Sequence, residues 1–243
     1  MELCEIFQQG LPWKSSGIPQ YVRAFGVPHL ASIHKVSATA EIWPRIVGEY
    51  CERKFTLSKD KLVTVGGLAK FIQEPTGASY HAGLWAPGLE YQLCWYSEYP
   101  AAKSDIYRAP SWSWASIYGS SVSASDYNQL VSGLHCEVLG VHVDNVTPDN
   151  PFGKVLGGSL RLRLDSLLRC TIVVEKLTDE RVVIINGELI EIDLLFDHDI
   201  DDEDIKSIQV HLSVFFSSAM FDLTGYGLII QHIGDEVGQC QKI

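Results

Sequence analysis

The chain is expected to be an α+β protein: a short helical N-terminal portion leads into an antiparallel β-rich body, sandwich-like or barrel-like. Three observations predict it. Apolar residues recur at helical spacing only between about residues 40 and 75. Beyond residue 107 they alternate with period two in half a dozen segments. Those segments are joined by short turns with no helices between them, which excludes a parallel sheet with crossovers. The division that follows is 1–100, irregular and helical, and 101–243, antiparallel β.

The first 35 to 40 residues are broken by prolines and glycine in LPWKSSGIPQ and FGVPHL, and read as loop and turns. No periodic element opens them, so the start resembles the middle of a longer protein. The first helix comes from EIWPRIVGEYCERKF, where Trp43, Ile46, Val47 and Tyr50 line one face and Pro44 fits a first turn. A second helix is expected from LSKDKLVTVGGLAKFIQ. Ser58 is its N-cap, Asp60 suits the positive helix start, and Leu62, Val65, Leu68, Ala69 and Ile72 form the buried stripe. Gly66-Gly67 weakens it by about 1 kcal/mol per glycine, which implies close packing or a break. YQLCWYS fits a strand or a short helix.

In the β-rich part, VLGVHVDNV places Leu139, Val141 and Val143 on one face, and GGSL reads as a turn entering a strand. Leu160, Leu162 and Leu164 then alternate with Arg161, Arg163 and Asp165. RVVIINGELIEIDLLF holds Asn186-Gly187 between apolar runs, the pair that a type I′ hairpin turn selects. SIQVHLSVFF and YGLIIQHI supply two more strands.

At 243 residues and 46% apolar content the chain can bury a sizeable core. A net charge of −11 argues against binding a nucleic-acid backbone, which needs clustered cations. Much of that charge is local: DHDIDDED, Asp197 to Asp204, supplies six carboxylates. Asp197, Asp199 and Asp201 have calcium-loop spacing, but the sixth and twelfth positions hold Asp202 and Ile208 instead of Gly and Glu, so a solvated loop is expected. The six cysteines show no zinc spacing and read as free, mostly buried thiols of a reducing compartment. There is no signal peptide and no apolar run long enough to cross a membrane, so a cytoplasmic protein is expected, with no membrane or nucleic-acid partner.

The chemistry-bearing motifs are sparse. GASYH offers Ser79 and His81 as a hydrolytic pair, but a nucleophile elbow would need GxSxG between a strand and a helix. His142 and Asp144 share a strand face without a metal-ligand spacing. No phosphate-binding glycine pattern follows a strand, so no cofactor is expected. In PSWSWAS, strand geometry puts Trp112 and Trp114 on one face and Ser111, Ser113 and Ala115 on the other. Turned inward the indoles anchor a core; turned outward they form a sugar or base platform. The small polar opposite face favours the core.

Five stretches in order, WPRIVGEYCERKFTLSKDKLVTVGGLA, YHAGLW, LCW, YRAPSWSWAS and NPFGKVLGGSLRLR, resemble the region downstream of the heterokaryon-incompatibility (HET) domain in fungal proteins. The matching positions are Trp43, Tyr50, Arg53, Thr56, Asp60, Lys61, Leu62, Gly67, Ala69, Gly83, Trp85 and Trp95. The run from Tyr107 through Arg108, Pro110, Trp112 and Trp114 to Ser116 completes them. These residues identify the family and are structural in role. Tyr118 departs from the aspartate or asparagine that often follows the SWAS block. The family's HET domain, likened to the TIR fold and linked to signalling or NAD-linked activity, has no counterpart here, and none of its functional residues carries over. The resemblance implies a non-catalytic region that recognises, scaffolds or regulates in fungal self/non-self recognition and the cell death following incompatible fusion. Its partner would be an unidentified protein. The alternatives are a hydrolytic or transfer enzyme using GASYH or the His142 and Asp144 face, and a truncated product without independent function.

Overall fold

A computed structural model describes residues 39, 42–52, 61–97, 99, 101, 106–118, 122–124, 133–174, 181–190, 197, 208–217, 225–232 and 240–242. The fold is α+β, with helices first and an antiparallel β-rich body after them. Helix α1 (Trp43–Glu52) buries Trp43, Ile46, Val47 and Tyr50, and Pro44 lies in its first turn as the spacing requires. Helix α2 (Lys61–Thr76) buries the whole predicted stripe. Its glycine pair does not break it. A Cβ on Gly66 would stand 2.7 Å from the Phe152 carbonyl oxygen, so close packing accounts for that glycine, whereas Gly67 faces open space. Gly77, at φ +57°, closes the helix by donating to the Gln73 carbonyl at 2.7 Å, the left-handed cap that glycine permits. The expected N-cap Ser58, with Arg53, Thr56 and Asp60, lies outside the described residues, as does the N-terminal loop of residues 1–38.

YQLCWYS is both of the things expected of it: a short helix α3 (Leu89–Gln92), then strand β3 (Trp95–Ser97). Ahead of them, β1 (Tyr80–His81) and β2 (Leu84–Trp85) form a tight hairpin through Ala82 and Gly83. Strand β4 (Val122–Ala124) pairs with β3 and packs on α1.

Strands β6 (Cys136–Asn145) and β7 (Val155–Leu164) form a long two-stranded ribbon. Two expectations fail there. Leu139 does not share a face with Val141 and Val143. Val138 pairs with Leu162 and Gly140 with Arg161, so Leu139 is the extra residue of a bulge, and the shift in phase leaves it 41% exposed. Val138, Val141 and Val143 pack on the core instead. Gly157 and Gly158, expected in a turn, lie inside β7, because a Cβ on Gly158 would meet Pro110 Cγ at 2.8 Å and the His142 carbonyl oxygen at 3.0 Å. The alternation of Leu160, Leu162 and Leu164 with the two arginines is as read.

The remaining described strands form one antiparallel sheet. They are β5 (Gly133–Leu134), β8 (Leu168–Val174), β9 (Arg181–Ile185), β10 (Glu188–Ile190), β11 (Ile208–Ser217), β12 (Gly225–His232) and β13 (Cys240–Lys242). Their order is β10-β9-β8-β11-β12-β13, with β5 on β11 beyond the end of β8. The path does not close among the described residues, so they form an open sheet and not the barrel alternative. Asn186 and Gly187 turn β9 into β10 with φ of 54° and 85°, the type I′ geometry that the Asn-Gly pair selects.

One apolar cluster runs from Trp43 through the helices and tryptophans to Cys136, Val155 and Leu228, drawing on residues from both sides of residue 100. A smaller set within the sheet, Cys170, Ile172, Val183 and Val210, is buried on cross-strand neighbours of β8, β9 and β11. Among the described residues, no helix is long and apolar enough to cross a membrane. The four described cysteine side chains, Cys51, Cys94, Cys136 and Cys170, are buried and form no disulfide among the described residues.

Candidate functional site

Two of the residues that carry the resemblance, Trp43 and Trp114, converge on the peptide carbonyl of a third, Gly83. Gly83, at φ +101°, turns its oxygen inward, and the indole nitrogens of Trp43 and Trp114 both donate to it at 2.8 Å. A carbonyl oxygen has two lone pairs, so one turn can hold helix α1 and residue 114 together. Only glycine fits, since a Cβ there would stand 2.7 Å from Trp114 Nε1. The preceding Ala82 carries a left-handed φ of 44°, costing roughly 1–2 kcal/mol for a residue with a Cβ. Its carbonyl accepts from the buried Ser113 hydroxyl.

The double-tryptophan stretch is not a strand. Residues 110–113 form a turn, and Trp114–Ser116 is a single 3₁₀ turn capped by Ser113, whose Oγ accepts from the Ala115 N–H at 3.1 Å. The serines that strand geometry sent outward include Ser113, fully buried as the hinge of the motif, and Ala115 is buried with it. The indoles are core, as the favoured reading had it, but through a turn. The Trp95 indole N–H donates to the Trp112 backbone carbonyl at 2.9 Å. Trp43, Tyr80 and Trp85 meet edge to face at centroid distances of 4.9–5.8 Å, and Tyr50 meets Trp114 at 6.1 Å. A cleft lined by Trp43, Trp95 and Trp114 has a volume of about 20 Å³, room for one water molecule. The junction is filled.

Two cations border it. Lys61 is buried and donates to the Ile117 carbonyl at 2.9 Å with its ammonium 5.9 Å from the Trp114 ring centre. Burial pulls its pKa below the usual lysine value; the Arg108 charge pulls the same way, while Cys51 opposes both. Arg108 lies over the Tyr118 ring at 4.5 Å, a cation–π contact. Its Nε and Nη1 are buried and make no hydrogen bond among the described residues.

The sequence-proposed chemical pairs fare differently. Ser79 is exposed, His81 is half-buried with its pKa lowered by burial, and no hydrogen bond joins them among the described residues. His142 Nε2 and Asp144 Oδ1 do meet, at 2.9 Å, on the outer face of β6 with both side chains largely exposed. Within the acidic run, Asp197 is buried and its carbonyl accepts from the Ala101 N–H at 3.1 Å, so the solvated-loop expectation fails at that residue. The others of that run lie outside the described residues.

Two features were missed in the sequence. The Ala82-Gly83 turn had a signal, a glycine between aromatic dipeptides. The concave tip of the β6–β7 ribbon, lined by Val143, Asp144, Asn145, Pro148 and Leu156, depends on a bulge that no local pattern announces. No protein-family model matches this chain, and no curated protein or solved structure matches it.

Proposed function

We propose that the chain is the recognition or scaffolding region of a fungal HET-family protein, acting in self/non-self incompatibility and the cell death that follows, without catalysis of its own. One observation carries the reading. Trp43, Gly83 and Trp114, motif residues spread over about seventy positions, meet at the Gly83 carbonyl, and Tyr50, Trp85, Trp95 and Trp112 are buried in the same cluster. Residues held together by packing and mutual hydrogen bonds explain a long, ordered signature without a reaction. Ser79 and His81 share no hydrogen bond among the described residues, which leaves the GASYH form of the hydrolytic alternative without a paired nucleophile and base. His142 and Asp144 meet with no nucleophile beside them among their hydrogen-bond partners in the described residues.

The transcript upstream of the Met1 codon tests the family reading. The expected result is an open frame encoding a tryptophan–glycine block, an aspartate-bearing strand and a WTLQE-like segment. An upstream region with stops in every frame and none of these blocks contradicts it. A fusion assay tests the role. Deleting residues 107–118 from the full-length gene should abolish the incompatibility reaction, and an unchanged reaction would remove the recognition role.

A further inference from the structure

The free tip of the β6–β7 ribbon carries a concavity of about 480 Å³, lined by Val143, Asp144, Asn145, Pro148 and Leu156. Its shape comes from a second bulge. Asn145 pairs with Val155 and Asp144 with Gly157, leaving Leu156 as the extra residue, 68% exposed at the lip. Bulges re-aim side chains in this way, often beside binding sites.

Charge is distributed unevenly along the ribbon. At its base, Glu137 pairs across the strands with Arg163. At the tip, Asp144 faces Gly157, and a Cβ there would stand 3.1 Å from Asp144 Oδ2, so the carboxylate lies over bare backbone. Its hydrogen-bond partner on the same strand is His142, and the residue it faces across the ribbon is a glycine and not a cation. The phenol of Tyr107 is close enough that the Asp144 charge adds to burial in raising its pKa. The enclosing loop is pre-ordered. Val146 N–H donates to the Lys154 carbonyl at 2.9 Å and Asn150 N–H to Thr147 at 3.0 Å, while Phe152 is held against Tyr80 and Gly66.

We propose that this concavity receives a basic side chain, lysine or arginine, from a protein partner. The charged head sits on the Asp144 carboxylate and the aliphatic stem lies along Leu156, Val143 and Pro148. An apolar lip around one carboxylate complements a residue that is apolar along its stem and cationic at its end. The net charge of −11 draws basic partners toward the chain at long range. The inference deepens the recognition reading and rests on it only in taking the partner to be a protein.

The test is a titration of the full ¹⁵N-labelled chain with acetylated, amidated Gly-Arg-Gly and Gly-Lys-Gly, and with the citrulline counterpart. Both basic peptides should give saturable shifts at the amides of Val143, Asp144, Asn145 and Leu156, and citrulline should give almost none. Asp144→Asn and Leu156→Ser should each weaken binding by about fivefold, the scale of one partly exposed charge or apolar contact, with the rest of the spectrum unchanged. Absent or non-saturating shifts, shifts centred on residues 197–204, an equal response to citrulline, or undiminished binding by Asp144→Asn would overturn the site. Failure here leaves the upstream-frame test of the family reading untouched. Binding by a chain with no such frame would keep the site and remove the family reading.

Discussion

The junction around Gly83 and the β6–β7 ribbon spend apolar residues in opposite ways. In the junction, short irregular segments bury almost everything: five tryptophans, a lysine and a serine, of which Trp43, Trp114 and Ser113 close on two turn carbonyls. In the ribbon, long regular strands bury one face only, and each of two bulges pushes a leucine, Leu139 or Leu156, toward solvent. The least regular backbone thus holds the most specific packing, and the most regular backbone carries the open surface. Specificity of fold and capacity to bind are placed in different parts of the molecule.

Trp114→Ala should break the comparison hardest. It removes a fully buried indole, its bond to Gly83, its edge contact with Tyr50 and the ring under Lys61, so a loss of ~3–5 kcal/mol is expected in denaturant unfolding. A loss under 1 kcal/mol would mean that the junction is not the anchor.

Alkaline titration sharpens the boundary between the two regions, where Cys136 begins the ribbon inside the core. Burial, with the charges of Glu90 and Asp165, pushes its thiol from 9.0 up to about 12. Below pH 9 the thiol is neutral in both states. Between 9 and 12 the unfolded thiolate forms first, so stability falls by on the order of 1 kcal/mol per pH unit. Cys136→Ala should make that slope shallower across the same window, and an unchanged slope would place Cys136 in a wetter site.

Gly66→Ala tests how closely the two regions meet, since the added methyl would press on the Phe152 carbonyl at the ribbon's loop. Overpacking against backbone should cost ~1–3 kcal/mol, while Gly67→Ala, into open space, should stabilise slightly through helix propensity. The smallest effect belongs to the ribbon's outer face. Leu139→Thr should change stability by less than about 0.5 kcal/mol.

The contrast also decides what was legible beforehand. Helical spacing found every buried residue of α2's stripe, and Asn186-Gly187 found its hairpin, because each signal is local and its physics is complete within a few residues. The phase of β6 was misread because one bulge at Leu139 inverts everything after it, and the bulge is set by pairing with β7. PSWSWAS was misread as a strand because its conformation is imposed by partners thirty residues away, the carbonyls of Ala82 and Gly83. The burial of its indoles was still predictable, since two tryptophans bring more apolar area than a solvated segment accommodates. The tip concavity needed both the pairing register and the loop, and neither is written in a short stretch of sequence.

Tryptophan emission tests the central claim most directly: that the signature is a packed anchor and not a ligand platform. Trp13 lies outside the described residues, so the measurement belongs on Trp13→Phe, where the emitting indoles are Trp43, Trp85, Trp95, Trp112 and Trp114, each no more than 8% exposed. The account predicts a blue-shifted spectrum that iodide scarcely quenches. A red-shifted, readily quenched spectrum from the folded variant would contradict it.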